Sequence, residues 1–105
     1  MQYGLVFVTI GTEEEAKAIA STLVEMKLAA CVSIAPTQSV YRWQGQIDGD
    51  REWQLTIKTD LALFSRLEAK IQELHSYEVP EIIAIAIVAG SPSYLNWMDE
   101  SMQNN

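Results

Sequence analysis

The sequence predicts an α+β fold of the ferredoxin-like type, with the element order βαββαβ and a short helix at the C-terminal end. Three observations lead to this prediction. Four short segments are rich in Val, Ile and other strand-forming residues, and two longer segments place apolar residues at helical spacing. An Asp48–Gly49 pair between two strand segments is a strong hairpin signal. The 105 residues fit one domain, residues 1–105.

The first strand is predicted over Leu5–Ile10, a nearly continuous apolar run that favours a strand buried on both faces. Thr12 then starts a helix, because Glu15 follows three residues later in a capping-box pattern. The glutamates of the first turn suit the positive end of the helix dipole. The apolar stripe of this helix is Ala16, Ile19, Ala20, Leu23 and Val24.

A long hairpin is predicted next. Its first arm begins with Leu28–Ile34, and the pattern resumes from Gln38 to Ile47. Between these stretches lies Pro36, which cannot donate a ladder hydrogen bond and therefore predicts a bend or bulge. The second arm follows the Asp48–Gly49 turn and covers Asp50–Thr59.

The second half of the chain predicts a helix, a strand and a short final helix. Thr59 or Asp60 caps the second helix, whose apolar stripe is Phe64, Leu67, Ile71 and Leu74. A fourth strand covers Ile82–Ala89, and Ser91–Pro92 predicts an N-cap followed by proline in the first helical turn. In this arrangement both long helices cover one face of the sheet, and the other face is bare unless another chain covers it.

The predicted turn determines which hairpin residues face one another: Trp43 faces Gln54, and Ser39 faces Lys58. One face of the hairpin then carries Tyr41, Trp43, Glu52, Gln54 and Lys58, and the other carries Val40, Arg42, Trp53, Leu55 and Ile57. The second set suits the helices. The first mixes aromatic rings with charges, as interfaces and pocket walls do. Arms of about ten residues exceed the usual strand of about six, so we expect the hairpin to pair with copies of the same chain.

The composition narrows the classes of partner. The formal net charge of -7 repels phosphate backbones, so nucleic acid is not expected; the charge suits either a bound cation or simple solubility. No apolar stretch approaches the roughly 20 residues that cross a bilayer, and the N-terminal run lacks the basic flank of a signal peptide. We therefore expect no membrane partner and a cytoplasmic location. Cys31 is the only cysteine, so no intramolecular disulfide is possible.

Three residues are candidates for chemistry, and each has a plain structural alternative. His75 is a metal ligand or proton carrier, or else a helix-end residue near the last carbonyls. Cys31 is a reactive thiol or copper ligand, or else a small buried strand residue. Lys58 is an anion anchor or an interface partner of Glu52 or Glu81, or else a solvated strand end. One histidine cannot build a tetrahedral metal site, so carboxylates or a neighbouring subunit would have to complete it.

No complete catalytic motif is present. The sequence contains no glycine-rich phosphate loop, no GxSxG elbow, no HExxH and no CxxC. Because no nucleophile can be paired with a base, we do not expect an enzyme. The remaining classes are a metal-binding protein, a sensor of a small ligand, and a scaffold that presents a surface to another protein.

Several segments together resemble the CutA family of divalent-ion tolerance proteins. The segments are Lys27–Pro36, Ser39–Gly45, Glu52 with Leu55 and Lys58–Thr59, His75–Ile82, and Tyr94–Trp97. Their order and spacing agree over nearly the whole chain. The resemblance implies a homotrimer with the architecture of PII signalling proteins, in which long hairpins pair between subunits and clefts form where subunits meet.

The resemblance also implies tolerance to divalent metals and binding of Cu(II) or another divalent cation, and no enzymatic activity follows from it. The implied cleft residues are Tyr41, Trp43, Glu52, Lys58, His75, Tyr77, Glu81 and Trp97, and the implied metal residues are His75, Cys31 and Glu81. Some members carry an additional thiol on the first strand and adjacent histidines after the second helix. Here the first strand has no cysteine and Leu74 precedes His75, so any metal site is expected to be weak or to combine subunits.

Overall fold

The computed structural model describes residues 1–103; residues 104 and 105, the end of the predicted domain, lie outside the described part. The elements in chain order are β1 (Tyr3–Ile10), α1 (Glu13–Glu25), β2 (Cys31–Trp43), β3 (Gln46–Asp60), a 3₁₀ turn (Leu61–Leu63), α2 (Phe64–Leu74), β4 (Ile83–Ala86) and α3 (Pro92–Met102). The strands form one antiparallel sheet in the order β2-β3-β1-β4. The predicted ferredoxin-like fold with a final helix is confirmed.

One face of the sheet carries the main hydrophobic core, formed with α1 and α2. Val6, Val8 and Ile10 of β1 are fully buried there, whereas Leu5 and Phe7 on the opposite face are only half-buried. The prediction that β1 is buried on both faces is wrong for a single chain, because both long helices lie on the same side. The core also contains Ala16, Ile19, Leu23, Leu28, Ala29, Leu55, Ile57, Leu67 and Ile71.

The first helix begins as predicted. The Thr12 hydroxyl accepts the Glu15 N–H at 3.2 Å, which caps α1. Four of the five predicted stripe residues are buried, but Val24 is 43% exposed. In α2, Leu67 and Ile71 are buried, while the outer stripe residue Leu74 is exposed.

The two candidate caps at the end of β3 have separate roles. The Asp60 carboxylate accepts the Ala62 N–H at 3.0 Å and so begins the 3₁₀ turn that leads into α2. The fully buried Thr59 instead donates its hydroxyl to the Leu28 carbonyl at 2.7 Å. This bond ties β3 to the segment that precedes β2.

The hairpin turns at Gln44–Gly45, so the predicted Asp48–Gly49 turn is wrong. The φ angles of 51° at Gln44 and 80° at Gly45 are the positive values that a two-residue hairpin turn requires. Packing explains the choice. The observed register sets Leu55 opposite Ile34, whereas the predicted one would set this buried side chain opposite the charge of Arg42.

The two faces of the hairpin are nevertheless as predicted. The observed and predicted registers differ by an even number of residues, and side chains alternate between faces with a period of two. Tyr41, Trp43, Glu52 and Lys58 therefore share the face away from α1 and α2. The arms contain 13 and 15 residues, which confirms the overlong hairpin.

The second strand also differs from expectation at its proline. β2 continues through Pro36, which pairs with Trp53 in uninterrupted register, so the predicted bend or bulge is wrong. β2 lies at the edge of the sheet, where the missing N–H of proline is tolerated if it faces outward.

The face away from α1 and α2 is covered at one end by α3. Ser91 caps this helix and Pro92 is its first residue, as predicted. Met98 and Met102 pack with Ala30 in a small second core. Within residues 1–103, no helix has the length and apolar character needed to cross a membrane.

Large apolar side chains remain exposed on the rest of the chain. Val40, Trp43 and Ile47 near the hairpin end are 80%, 50% and 72% exposed. Ile83 and Ile85 on the edge strand β4 are 55% and 51% exposed. Unpaired edges with apolar side chains are surfaces that recruit other chains.

Candidate functional site

A groove of about 900 Å³ lies between the outer half of the hairpin and the segment that joins α2 to β4. Tyr41, Trp43 and Glu52 line it from the hairpin, and Tyr77 and Glu81 line it from the joining segment. The structure thus brings together five of the residues that the sequence analysis singled out. The alternation along each strand explains the hairpin contribution, because all three side chains lie on one face.

Five carboxylates line this groove: those of Asp48, Asp50, Glu52, Glu78 and Glu81. No lysine or arginine is part of the lining, and none of the five forms a salt bridge within residues 1–103. Neither Asp48 nor Asp50 was among the predicted site residues: Asp48 was predicted in the hairpin turn, and Asp50 at the start of the second arm. The alternation rule is the signal that finds them, since they share their face of β3 with Glu52.

Two tyrosine hydroxyls hold groove carboxylates. Tyr77 donates to Oε2 of Glu52 at 2.8 Å. Burial is the main cause that raises the pKa of Tyr77 well above its usual range, and this hydrogen bond is the second cause. Tyr41 donates to Oδ2 of Asp50 at 2.7 Å, and this bond is the main cause that raises the pKa of Tyr41 to about 12. The Tyr77–Glu52 bond links the joining segment to the hairpin, whereas the Tyr41–Asp50 bond joins β2 to β3 within the hairpin wall.

His75 is buried beside the groove rather than in its lining. Its Nε2 lies 2.8 Å from the Thr9 carbonyl oxygen, and the Tyr77 N–H donates to its Nδ1 at 3.0 Å. A carbonyl only accepts and an amide N–H only donates, so the proton resides on Nε2 in this arrangement. Both ring nitrogens are thus engaged, and a metal would have to displace one of these bonds. The role of His75 as a metal ligand stays a prediction.

Glu15 of α1 anchors the start of the joining segment. Its two carboxylate oxygens accept the backbone N–H and the hydroxyl of Ser76 at 2.9 and 2.8 Å. Oε2 of Glu15 also lies 3.8 Å from Nδ1 of His75. The ring of Tyr77 packs against that of His75 with centroids 4.7 Å apart. Together these contacts hold the wall of the groove that carries Tyr77.

Three other predicted residues, Cys31, Lys58 and Trp97, form a second cluster at the opposite end of the same sheet face. Cys31 pairs with Lys58 across the strands, and the lysine Nζ lies 3.9 Å from Sγ and donates to the Ser33 hydroxyl at 2.7 Å. Burial, and then the neighbouring Cys31 sulfur, raise the pKa of Tyr94. The ring of Trp97 lies 5.4 Å from that of Tyr94.

The two clusters do not meet within one chain. Glu52 and Lys58 are six positions apart on β3, a separation of roughly 20 Å at about 3.3 Å per residue. Lys58 and Trp97 therefore stay predictions as cleft residues, because they would need a second chain to reach the groove. Within residues 1–103, no group of three or more His, Cys, Asp or Glu side chains is arranged to hold a metal ion.

The fold and the site define a ferredoxin-like protein with an overlong hairpin and an acidic, aromatic groove. The family model described as CutA1 divalent ion tolerance protein matches residues 4–101. A divalent-cation tolerance protein CutA from Thermus thermophilus is 45% identical over 98 residues, which cover 92% of this chain and 95% of that protein. A chloroplastic CutA protein from Arabidopsis thaliana is 43% identical over 95% of this chain, which spans 56% of that longer protein. The chain belongs to the CutA1 family of divalent ion tolerance proteins.

Solved structures agree with this assignment. CutA1 from Oryza sativa superposes with a TM-score of 0.95 at 38% identity, over 100% of this chain and 97% of that one. A protein from Archaeoglobus fulgidus, described as a periplasmic divalent cation tolerance protein CutA, gives 0.94 at 37% identity over 96% and 99% of the two chains. These findings confirm the resemblance and the fold class. The names of the relatives include chloroplastic and periplasmic proteins, so the cytoplasmic location stays a prediction.

We expect the His75→Leu substitution to lower the free energy of unfolding by about 1–3 kcal/mol, because the Tyr77 N–H and the Thr9 carbonyl lose their partner. Urea denaturation measures this change. Gln72→Leu, on the exposed side of α2, the helix that His75 follows, is the control and should change stability little. Equal stability of the two variants would contradict the proposed hydrogen bonds.

Stability should also fall at high pH. The raised pKa values of Tyr41 and Tyr77 mean that the folded chain favours the protonated phenols. Their contribution is fully present below the unfolded pKa of about 10 and is lost as pH rises toward the folded pKa of Tyr41, about 12. The thermal midpoint should therefore drop less over this range when both tyrosines are replaced by phenylalanine. An equal drop in the wild type and the double variant would contradict the assignment.

Proposed function

We propose that this chain is a homotrimeric, non-enzymatic divalent-cation tolerance protein that binds Cu(II) or another divalent cation weakly. The family supports the link to divalent-cation tolerance. The observation that carries the binding site is the groove, whose five carboxylates form no salt bridge with any residue of the described range 1–103. Carboxylate oxygens are ligands for divalent cations, and a concentration of negative charge attracts them.

The incomplete ligand set supports weak binding or a site shared between subunits. Glu81, one of the predicted metal residues, lies in the groove, whereas Cys31 lies in the second cluster and both nitrogens of His75 are engaged. A neighbouring copy that places its Lys58–Trp97 cluster against this groove would unite the predicted cleft residues. We therefore favour a cleft formed by two subunits.

The proposed self-association is supported by the apolar surface that a single chain leaves exposed to water. The hairpin end and the β4 edge expose Val40, Ile47, Ile83 and Ile85. Removing such side chains from water contributes roughly 25 cal/mol for each Å² buried, so contact between copies is favourable. The cytoplasm is the proposed location.

A second candidate function is that of a sensor for a small ligand, or a scaffold that uses the same cleft. The size of the groove favours the sensor, because about 900 Å³ lies within the range of small-molecule sites. This candidate differs from the first in the ligand and not in the assembly.

Size-exclusion chromatography with light scattering should report three times the chain mass of 11.8 kDa. Ile85→Lys should reduce the apparent mass, because a charge on the β4 edge cannot be buried without a partner. Val24→Lys, an equally drastic change on the exposed side of α1, is the control and should leave the trimer intact. A monomeric wild type would overturn the proposed assembly.

Calorimetric titration with Cu(II) tests the metal proposal. We expect weak saturable binding that Glu81→Gln reduces by about tenfold, since an ionised ligand is removed. Glu68→Gln, an exposed change of equal charge on α2, should bind as the wild type does. Unchanged binding in His75→Leu would remove His75 from the site, and no binding in the wild type would overturn the proposal.

A further inference from the structure

The groove differs from a metal-ion site in both size and lining. Its volume of about 900 Å³ is far larger than one ion and matches the roughly 300–1,000 Å³ of sites for small organic molecules. Three aromatic side chains, Tyr41, Trp43 and Tyr77, line it together with the carboxylates. Aromatic rings are not ligands for hard divalent cations, so the metal proposal gives the three aromatic side chains of the lining no role.

Acids combined with aromatic rings are the chemistry that binds organic cations. The negative face of an aromatic ring attracts an ammonium or guanidinium group, and carboxylates accept its hydrogen bonds. The groove contains five carboxylates and three rings, with no lysine or arginine in its lining. An anion, a nucleotide or a neutral apolar molecule would each leave these charges uncompensated.

Glu52 provides an independent observation that points to a ligand. This side chain is only 7% exposed, and carboxylates so deeply buried are normally paired. Tyr77 donates to Oε2, but within residues 1–103 no group donates to Oε1. Because no fully enclosed side-chain oxygen in this part of the chain lacks a partner, Oε1 retains some exposed surface, and Glu52 is a residue of the groove lining. A donor from a ligand would complete it.

We propose that the groove binds a small organic cation with ammonium groups, of which an alkyl diamine is the simplest form. One ammonium donates to Oε1 of Glu52 at the buried end, the alkyl chain lies along Trp43 and Tyr41, and the second ammonium meets the exposed Glu81. This inference goes beyond divalent-cation tolerance and does not depend on it. A chain that binds diamine but not Cu(II) would refute the metal proposal alone.

The same ammonium chemistry has a second source, which is Lys58 of another copy of this chain. In a trimer that unites the two clusters, that lysine and a free diamine would compete for the same carboxylates. In both cases the groove binds an ammonium group. The Lys58→Ala variant distinguishes the free diamine from the lysine of another copy.

The test is calorimetric titration of the full chain with diaminobutane at physiological ionic strength. Butanediol is the uncharged control of similar shape, and Mg²⁺ is the inorganic control with the same charge as the diamine. We expect saturable binding of the diamine, none of butanediol, and weaker binding of Mg²⁺. Glu52→Gln should weaken diamine binding by about tenfold or more, and Trp43→Leu by roughly two- to fivefold. Glu68→Gln is the charge-matched control and should bind as the wild type does.

Glu81→Gln is a second variant that removes a groove carboxylate, and this residue is exposed. The proposal can therefore be tested even if Glu52→Gln fails to fold. If Lys58→Ala raises diamine affinity severalfold, the groove is an ammonium site occupied by the neighbouring copy; if affinity is unchanged, the site is open to free amines. The proposal is overturned if neither the wild type nor Lys58→Ala binds diamine. It is equally overturned if Glu81→Gln and Glu68→Gln bind alike.

Discussion

The pairing of β2 with β3 determines where the candidate residues of the hairpin lie. The turn at Gln44–Gly45 sets Leu55 opposite Ile34, so the apolar face of the hairpin meets the helices. The same register places the acids and aromatic rings of the other face together at the outer half of the hairpin. It also sets Lys58 opposite Cys31, which gives this thiol a cationic neighbour that its sequence context lacks.

The groove concentrates like charges at a cost in stability that the fold partly offsets. Carboxylates close together repel one another, and burial of Glu52 adds a desolvation penalty. The hydroxyls of Tyr77 and Tyr41 reduce these costs by donating to Glu52 and Asp50. The remaining charge has no cation within residues 1–103. Proteins that retain such local conflicts generally do so at functional sites, where a ligand supplies the missing partner.

The prediction of the fold and of part of the site succeeded where alternation and helical spacing carry the information. The faces of the hairpin are correct despite a wrong turn, because a shift by an even number of residues preserves which side chains share a face. Tyr41, Trp43 and Glu52 could therefore be grouped in advance. The uninterrupted pairing at Pro36 was missed because a strand at the edge of the sheet tolerates a proline that a central strand would not.

By itself the sequence determined the order of the elements, the caps at Thr12 and Ser91, and the two chemically different faces of the hairpin. These features depend on local spacing, which the chain carries wherever it folds. Only the tertiary structure decided that both nitrogens of His75 are engaged, with Thr9 and the Tyr77 N–H, and that Lys58 lies roughly 20 Å from Glu52. The physical reason is that contacts between distant segments are set by strand register and by the path of the α2–β4 connection, which no local pattern encodes.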